Sequence, residues 1–355
     1  MKILIDITHP AHVHFYRNPI QVWRDSGFEV VITARKKDIA TDLLDSYGWD
    51  YKILSESGSG LSGLAKELVV RNYRLWRFAL RVKPDVMTGI GGIYVAQVGA
   101  LLRIPSVVFT DTENARLSNK LTYPFASAVC TPTCFETSGP KKGHVQYKGY
   151  HELSYTHPNR FEPDPTVLSR FGVSEHDPFT FVRLVSWGSA HDVSDSGFSD
   201  VLRAVSELSQ FGKVLISAEG KLPEQLEPMR VQVAPELVHH LLYYARLVIG
   251  ESATMASEAA TLGTPAIFIS TSTRGYTNEQ ERRYGLVFNY SDSERAQEQG
   301  LSKAIEILNE AKPKEHWHEK RKQLLDEKID VAEFVSDIVR EFAVKQRRSD
   351  SYNYQ

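Results

Sequence analysis

The chain has 355 residues, enough for two domains of ordinary size. Its 42% apolar and 24% charged residues fit a globular protein that buries sizeable cores and exclude a disordered or fibrous chain. Lys and Arg number 42 and Asp and Glu 44, a formal charge of −2, so the chain as a whole has no pull toward nucleic acid or an anionic membrane, though a local basic patch is compatible with that balance.

The opening "MKILIDITHP" is strand-like and turns polar too soon for a secretory signal. No apolar run approaches the roughly 20 residues that a spanning helix needs. The expectation is a cytoplasmic protein with no transmembrane segment, for which a peripheral membrane contact stays open. Cys130 and Cys134, in "CTPTC", read as small side chains at the end of a buried strand, since no further cysteine completes a zinc site.

Short β-branched runs then alternate with helical patterns, as in parallel α/β sheets. The first half offers the strands "KILID", "EVVIT", "YKIL", "DVMTGI", "SVVFT" and "AVCTP". Between them lie the helices "YRNPIQVWRDSG", "KDIATDLLDSYG" and "LAKELVVRNYRLWRFALRV". Residues 1–150 thus predict one doubly wound domain. Residues 151–178, rich in Pro, Asp, His and Ser, read as a connection.

Alternation restarts over 179–312 with "FTFVRLVS", "KVLISA", "RLVIG" and "AIFIS" as strands. A charged amphipathic segment follows at 313–345, and 346–355 reads as a polar tail. The predicted architecture is α/β, with two Rossmann-like doubly wound domains facing a cleft and a C-terminal helix crossing back. In open parallel sheets ligands bind beyond the carboxyl ends of the strands, so residues just after strands are the candidates.

One such place is "GESATMASEAATLGTP", Gly250 to Pro265. Small residues Ser252, Ala253 and Thr254 open a helix that Gly263 closes. They let a ligand approach the unpaired N–H groups of the first turn, where the helix dipole favours a phosphate or diphosphate. Glu258, four residues after Thr254, shares its face and is suited to accept hydrogen bonds from ribose hydroxyls. An ordinary N-cap with a solvated glutamate is the competing reading.

The segment "GESATMASEAATLGTPAIFIS" resembles the donor-binding segment of GT-B glycosyltransferases and of non-hydrolysing UDP-N-acetylglucosamine 2-epimerases. The resemblance implies a diphosphate at the small-residue helix start and ribose at the acidic residue. Extended to "STRGYTNEQERRYGLV", it implies sugar contacts from Asn278 and Gln280 and a phosphate or sugar contact from Arg274. By the same resemblance Gly188 and Ser189, in "VRLVSWGSAHD", supply backbone donors to the phosphates, with Arg183 balancing their charge. His191 and Asp192 are an oriented pair or a helix cap.

In the first half, "DITHPAHVHFYRNPIQVWRDSGFEVVITAR" resembles the first strand, loop and helix of the transferase that adds N-acetylglucosamine to the lipid-linked peptidoglycan precursor. His12 takes the place of that family's loop histidine, while Pro10 and Ala11 replace its glycines. "GIGGIYVAQVGALLRIPSVVFTDTENARLSNKLTYPFASAVCTP" resembles the same family and implies that Gly91, Gly92, Asp111, Glu113 and Asn114 lie at the cleft. Nearly the whole chain resembles the DUF354 family, on "D-THPAHVHF" and "FTDTE".

His9, His12 and His14 in "HPAHVH" have no Asp or Cys beside them to converge on a metal, so no metal site is expected. A general base is the better reading for one of them, with Asp111 and Glu113 as rivals. His9 and His14 are assigned to the acceptor side. The expected activity is a metal-independent glycosyltransferase that takes a nucleotide sugar, UDP-linked, as substrate and needs no cofactor. Its acceptor would be a saccharide or lipid-linked saccharide, and nucleic acid is not expected as a partner. A nucleotide-sugar 2-epimerase is the alternative, and a non-catalytic sugar-nucleotide binder of the same fold the third reading.

Overall fold

The computed structural model describes all residues except 37, 57–59, 186–197, 199, 292–294, 311–312 and 353–355. The chain divides into two compact units, Met1–Tyr155 with Ile329–Gln355, and Thr156–Lys328.

The first unit is built on a seven-stranded parallel sheet. Its strands are β1 (Lys2–Ile7), β2 (Glu29–Lys36), β3 (Tyr51–Glu56), β4 (Val86–Ile90), β5 (Ser106–Phe109), β6 (Ala128–Pro132) and β7 (His144–Tyr147), in the order β3-β2-β1-β4-β5-β6-β7. The helices α1 (Pro10–Asp25), α2 (Asp38–Ser46), α3 (Gly60–Val82), α4 (Ile93–Leu102) and α5 (Arg116–Thr122) connect them, and the single turn α6 (Leu153–Thr156) follows β7. The order reverses between β1 and β4, which opens a crevice at their carboxyl ends.

Buried charge locks the carboxyl ends of β1 to β3. Asp6 accepts from Thr33 Oγ1 (2.6 Å) and from Arg71 Nη2 (2.7 Å). Arg71 Nη1 donates to Ser55, and Glu67 accepts from Arg35 and Ser55. Arg71 is fully buried, and removal of either partner would strand a charge.

The second unit has a five-stranded parallel sheet of β8 (Phe179–Leu184), β9 (Lys213–Ala218), β10 (Leu247–Gly250), β11 (Ala266–Ile269) and β12 (Val287–Tyr290), ordered β12-β11-β10-β8-β9. Its reversal lies between β8 and β10. Helices α7 (Val201–Leu208), α8 (Val238–Tyr244), α9 (Ala253–Leu262), α10 (Gly275–Glu279), α11 (Ala296–Leu308) and α12 (Pro313–Glu327) complete the unit.

The last helix, α13 (Val331–Tyr352), belongs to the first unit and packs on α1. Val331, Val335, Val339 and Ala343 recur at helical spacing and are fully buried. Each valine so buried contributes roughly 1.5–3 kcal/mol. Trp23 Nε1 donates to the Ser336 carbonyl, and Arg347 pairs with Asp85 at 2.9 Å. Gly149 is required here because a Cβ would lie 2.4 Å from Val331.

The elements differ from the sequence expectation in identifiable places. Among the described residues, the six strands expected in the first half become seven, and the four expected in the second become five. Helix α1 starts at Pro10, not Tyr16, because proline suits the first helical position, and it carries Pro19 within it. The stretch 151–178, expected as a connection, contains a 3-10 helix (Pro165–Phe171) that packs on α8, and 313–345 is shared between the units. No disulfide joins Cys130 and Cys134; Cys130 lies in β6, where burial pushes its thiol up to about 12. No helix among the described residues is long and apolar enough to cross a membrane.

Candidate functional site

In the second unit the candidates gather at the carboxyl ends of β8, β10 and β11. Gly250 ends β10 beside Arg183 of β8, and a Cβ there would sit 2.2 Å from the Arg183 carbonyl oxygen. Only glycine allows that approach. Ser252 then caps α9, its Oγ accepting from Met255 N at 3.3 Å. The N–H groups of Ala253 and Thr254 lie in the first turn, with no carbonyl one turn behind them to accept. Gly263 closes the helix in the left-handed conformation.

Glu258 is not solvated, as an ordinary surface glutamate would be. It is buried, and His239 Nε2 of α8 donates to its Oε1 at 3.1 Å. Gln280 is fully buried too; its Nε2 donates to Ser257 of α9 (2.8 Å), while its Oε1 has no hydrogen-bond partner among the described residues. Asn278 is half-buried in α10, and its carbonyl accepts from Arg282.

The two arginines differ. Arg183 donates to Ser217 and forms an ion pair with Glu219, so its charge is already balanced. Burial nevertheless lowers its pKa, opposed by Glu219, Glu258 and Glu251. Arg274 precedes α10 and donates to the Ser272 hydroxyl (2.8 Å) and the Thr273 carbonyl (3.0 Å), both neutral. Gly188, Ser189, His191 and Asp192 lie outside the described residues. Val185 and Phe198, which flank that stretch, both donate their N–H to Glu251 at 2.8 Å, a buried carboxylate that the sequence reading passed over.

In the first unit the candidates gather at the carboxyl ends of β1, β4, β5 and β7. Gly91 and Gly92 form the turn after β4, both with positive φ. Gly91 N donates to Phe109 O, and a Cβ on Gly92 would lie 2.5 Å from Val108, so a side chain has no room. His9 caps α1, its Nδ1 accepting from Ala11 N. His14 is buried with its ring 5.4 Å from that of Tyr155.

His12 is buried near the start of α1, with its ring 5.9 Å from that of His9. Its Nδ1 lies 3.4 Å from both the N–H and the hydroxyl of Thr8. The Thr8 N–H donates to that nitrogen, so in the neutral ring the lone pair lies on Nδ1 and the proton on Nε2. Burial, followed by repulsion from His9 and His151, holds its pKa well below 6.5 against the opposing pull of Asp111. The ring is therefore neutral at pH 7.

Asp111 follows β5 and pairs with His151 Nδ1 at 3.1 Å. Burial alone would raise its pKa, but His151 and the Thr112 hydroxyl overcome that and hold it at about 2. His151 packs 4.7 Å from the ring of Phe15, and its buried Nε2 has no hydrogen-bond partner among the described residues. The sequence reading did not single out this histidine. Glu113 is otherwise engaged, accepting from Glu136 N at 3.2 Å, and Asn114 is exposed with its carbonyl accepting from Arg116 N. Among the described residues no three His, Cys, Asp or Glu side chains gather as metal ligands.

Two parallel Rossmann-like units, each with its candidate residues at the sheet's switch point, define an α/β protein of the kind that binds ligands at strand ends. Residues 1–278 match the family described as protein of unknown function (DUF354), and the chain belongs to that family. An uncharacterized protein of Methanocaldococcus jannaschii is 24% identical over 280 residues, covering 75% of this chain and 81% of its own.

Among solved structures, UDP-GlcNAc 2-epimerase from Neisseria meningitidis, bound to UDP-GlcNAc, superposes with a TM-score of 0.67 at 13% identity over 97% of this chain and 100% of that one. The spinosyn rhamnosyltransferase SpnG, complexed with thymidine diphosphate, gives 0.63 at 16% identity over 95% and 100%. The fold is thus that of GT-B glycosyltransferases and UDP-GlcNAc 2-epimerases.

Proposed function

We propose that this chain is a glycosyltransferase that binds a nucleoside diphosphate sugar, UDP-linked, in its second unit and activates an acceptor hydroxyl in its first. The observation that carries the reading is the start of α9, where small side chains leave the amides of Ala253 and Thr254 open to a diphosphate and a buried carboxylate stands one turn on. We assign Glu258, oriented by His239, to the ribose hydroxyls and Arg274 to the diphosphate, with Asn278 and Gln280 toward the sugar. Arg274 is preferred to Arg183 because Glu219 already balances the latter. Main-chain donors and one arginine meet the diphosphate charge, so the reaction as proposed needs no metal ion.

Neutral His12 is the base for an acceptor saccharide or lipid-linked saccharide. The epimerase reading draws on a different feature: His12 and the Asp111–His151 pair give one sheet edge two proton-handling groups, as inversion at a sugar carbon demands. Calorimetric titration with UDP and UDP-N-acetylglucosamine tests the binding reading, and absence of binding to any UDP compound sinks it. Incubation with the nucleotide sugar and no acceptor separates the two reactions, since an epimerised sugar forms only under the second.

A further inference from the structure

Helix α3 buries one stripe, including Leu75 and Ala79, and turns a second apolar stripe outward. Val69 is 70% exposed, with Tyr73 one turn on and Leu80 two turns beyond that. Helix α3 packs on α4, and α4 on α5. A hydrogen-bond chain from Asn72 to Gln97 to the Leu121 carbonyl ties the three together. Leu101 of α4 and Leu117 of α5 are 69% and 68% exposed, and Phe125 lies just past α5. Tyr73, Trp76, Leu101 and Phe125 line a groove of about 730 Å³ that runs across this face.

The charge on the face has one sign. Lys66, Arg77 and Arg81 of α3 are exposed, as are Arg103 at the end of α4 and Arg116 and Lys120 of α5. The only acid in 60–83 is Glu67, buried against Arg35, and 93–110 and 114–127 contain none. Asp111 and Glu113, between those stretches, are held by His151 and by the Glu136 amide. The chain's net charge is −2, so this is a local concentration of cations, not a reflection of the whole.

We propose that the α3–α4–α5 face of the first unit docks on the surface of an anionic phospholipid bilayer. Exposed aliphatic side chains gain by entering the acyl boundary, Tyr and Trp suit the interface, and ringing cations meet lipid phosphates. A second copy of the chain fits poorly, since a two-fold contact would set cations against cations. Nucleic acid would leave Val69, Leu101 and Leu117 without a partner. The inference is independent of the activity proposed above.

The test is co-flotation of the full chain with vesicles of phosphatidylglycerol and phosphatidylcholine mixed in equal parts, against phosphatidylcholine alone. Binding is expected only to the anionic vesicles and should weaken as salt rises, because charges are screened over about 8 Å at physiological ionic strength. Arg77→Ala with Arg81→Ala should lower the partition coefficient about thirtyfold, from about 1 kcal/mol per cation near the surface. Leu101→Ser with Leu117→Ser should lower it comparably, and all four positions are exposed, so unchanged thermal unfolding confirms intact folding. No flotation of a folded wild-type chain overturns the proposal, as does binding that both variants retain. Self-association of the wild type that these substitutions abolish assigns the face to a second copy instead.

Discussion

The carboxyl edges of the two sheets are built from different materials. In the first unit the edge is made of ionisable side chains under burial: His12 is held neutral, and Asp111 is held charged by His151. In the second it is made of main-chain amides and small residues, and its buried carboxylates are already held, Glu251 by the Val185 and Phe198 amides and Glu258 by His239. A proton-transfer site needs groups whose pKa values are pushed apart, whereas an anion site needs fixed donors that cost no reorganisation. Under the proposed function the contrast corresponds to chemistry at one edge and binding at the other, and mutations should separate them.

The largest effect is expected at His12. His12→Ala should lower kcat by about 10²–10⁴ while nucleotide affinity, measured by calorimetry, stays unchanged. If both fall together, the division of labour between the edges is wrong. In the wild type kcat/KM should hold as pH falls through 6.5 and drop only lower, because burial keeps the ring unprotonated there.

The reverse pattern is expected at Glu258. Glu258→Ala should weaken nucleotide binding about tenfold and also destabilise the fold by about 2–3 kcal/mol, because buried His239 loses this hydrogen bond. Glu258→Gln keeps an acceptor and should restore most of the stability, which denaturant unfolding reads directly. A variant with normal affinity would remove the ribose assignment.

Asp111→Asn tests the first edge in terms of stability. The folded carboxyl sits at about 2 against an ordinary 3.8, so ionised Asp111 stabilises the fold by about 2 kcal/mol at neutral pH. With a depressed pKa the contribution is complete above 3.8 and is lost as pH falls through 2. The wild type and variant should therefore differ in urea unfolding at pH 7 and converge toward pH 2. A gap that persists at low pH would mean that the amide distorts the packing around Phe15 and His151.

These two edges were unequally legible in the sequence. The second is a contiguous stretch whose cap, small residues and closing glycine lie within one helix, so local rules find it. The first depends on His151 reaching Asp111 across two further strands, and no spacing rule pairs them. His239, on the helix before β10, was missed for the same reason. Strands β7 and β12 also escaped notice, since each lies at a sheet edge, is four residues long and only partly buried. The continuous apolar run that marks a central parallel strand is absent there.

The smallest effect is expected at Ser252, and it bears on which atoms hold the diphosphate. The Ser252 hydroxyl caps α9 by accepting from Met255 N, so Ser252→Ala should cost about 1 kcal/mol of stability. The proposed donors are the main-chain amides of Ala253 and Thr254, which the substitution leaves in place. Nucleotide affinity should then stay within about twofold while the unfolding midpoint falls. A loss of affinity far beyond the loss of stability would instead make the hydroxyl the ligand, and the second edge would depend on side chains as the first does.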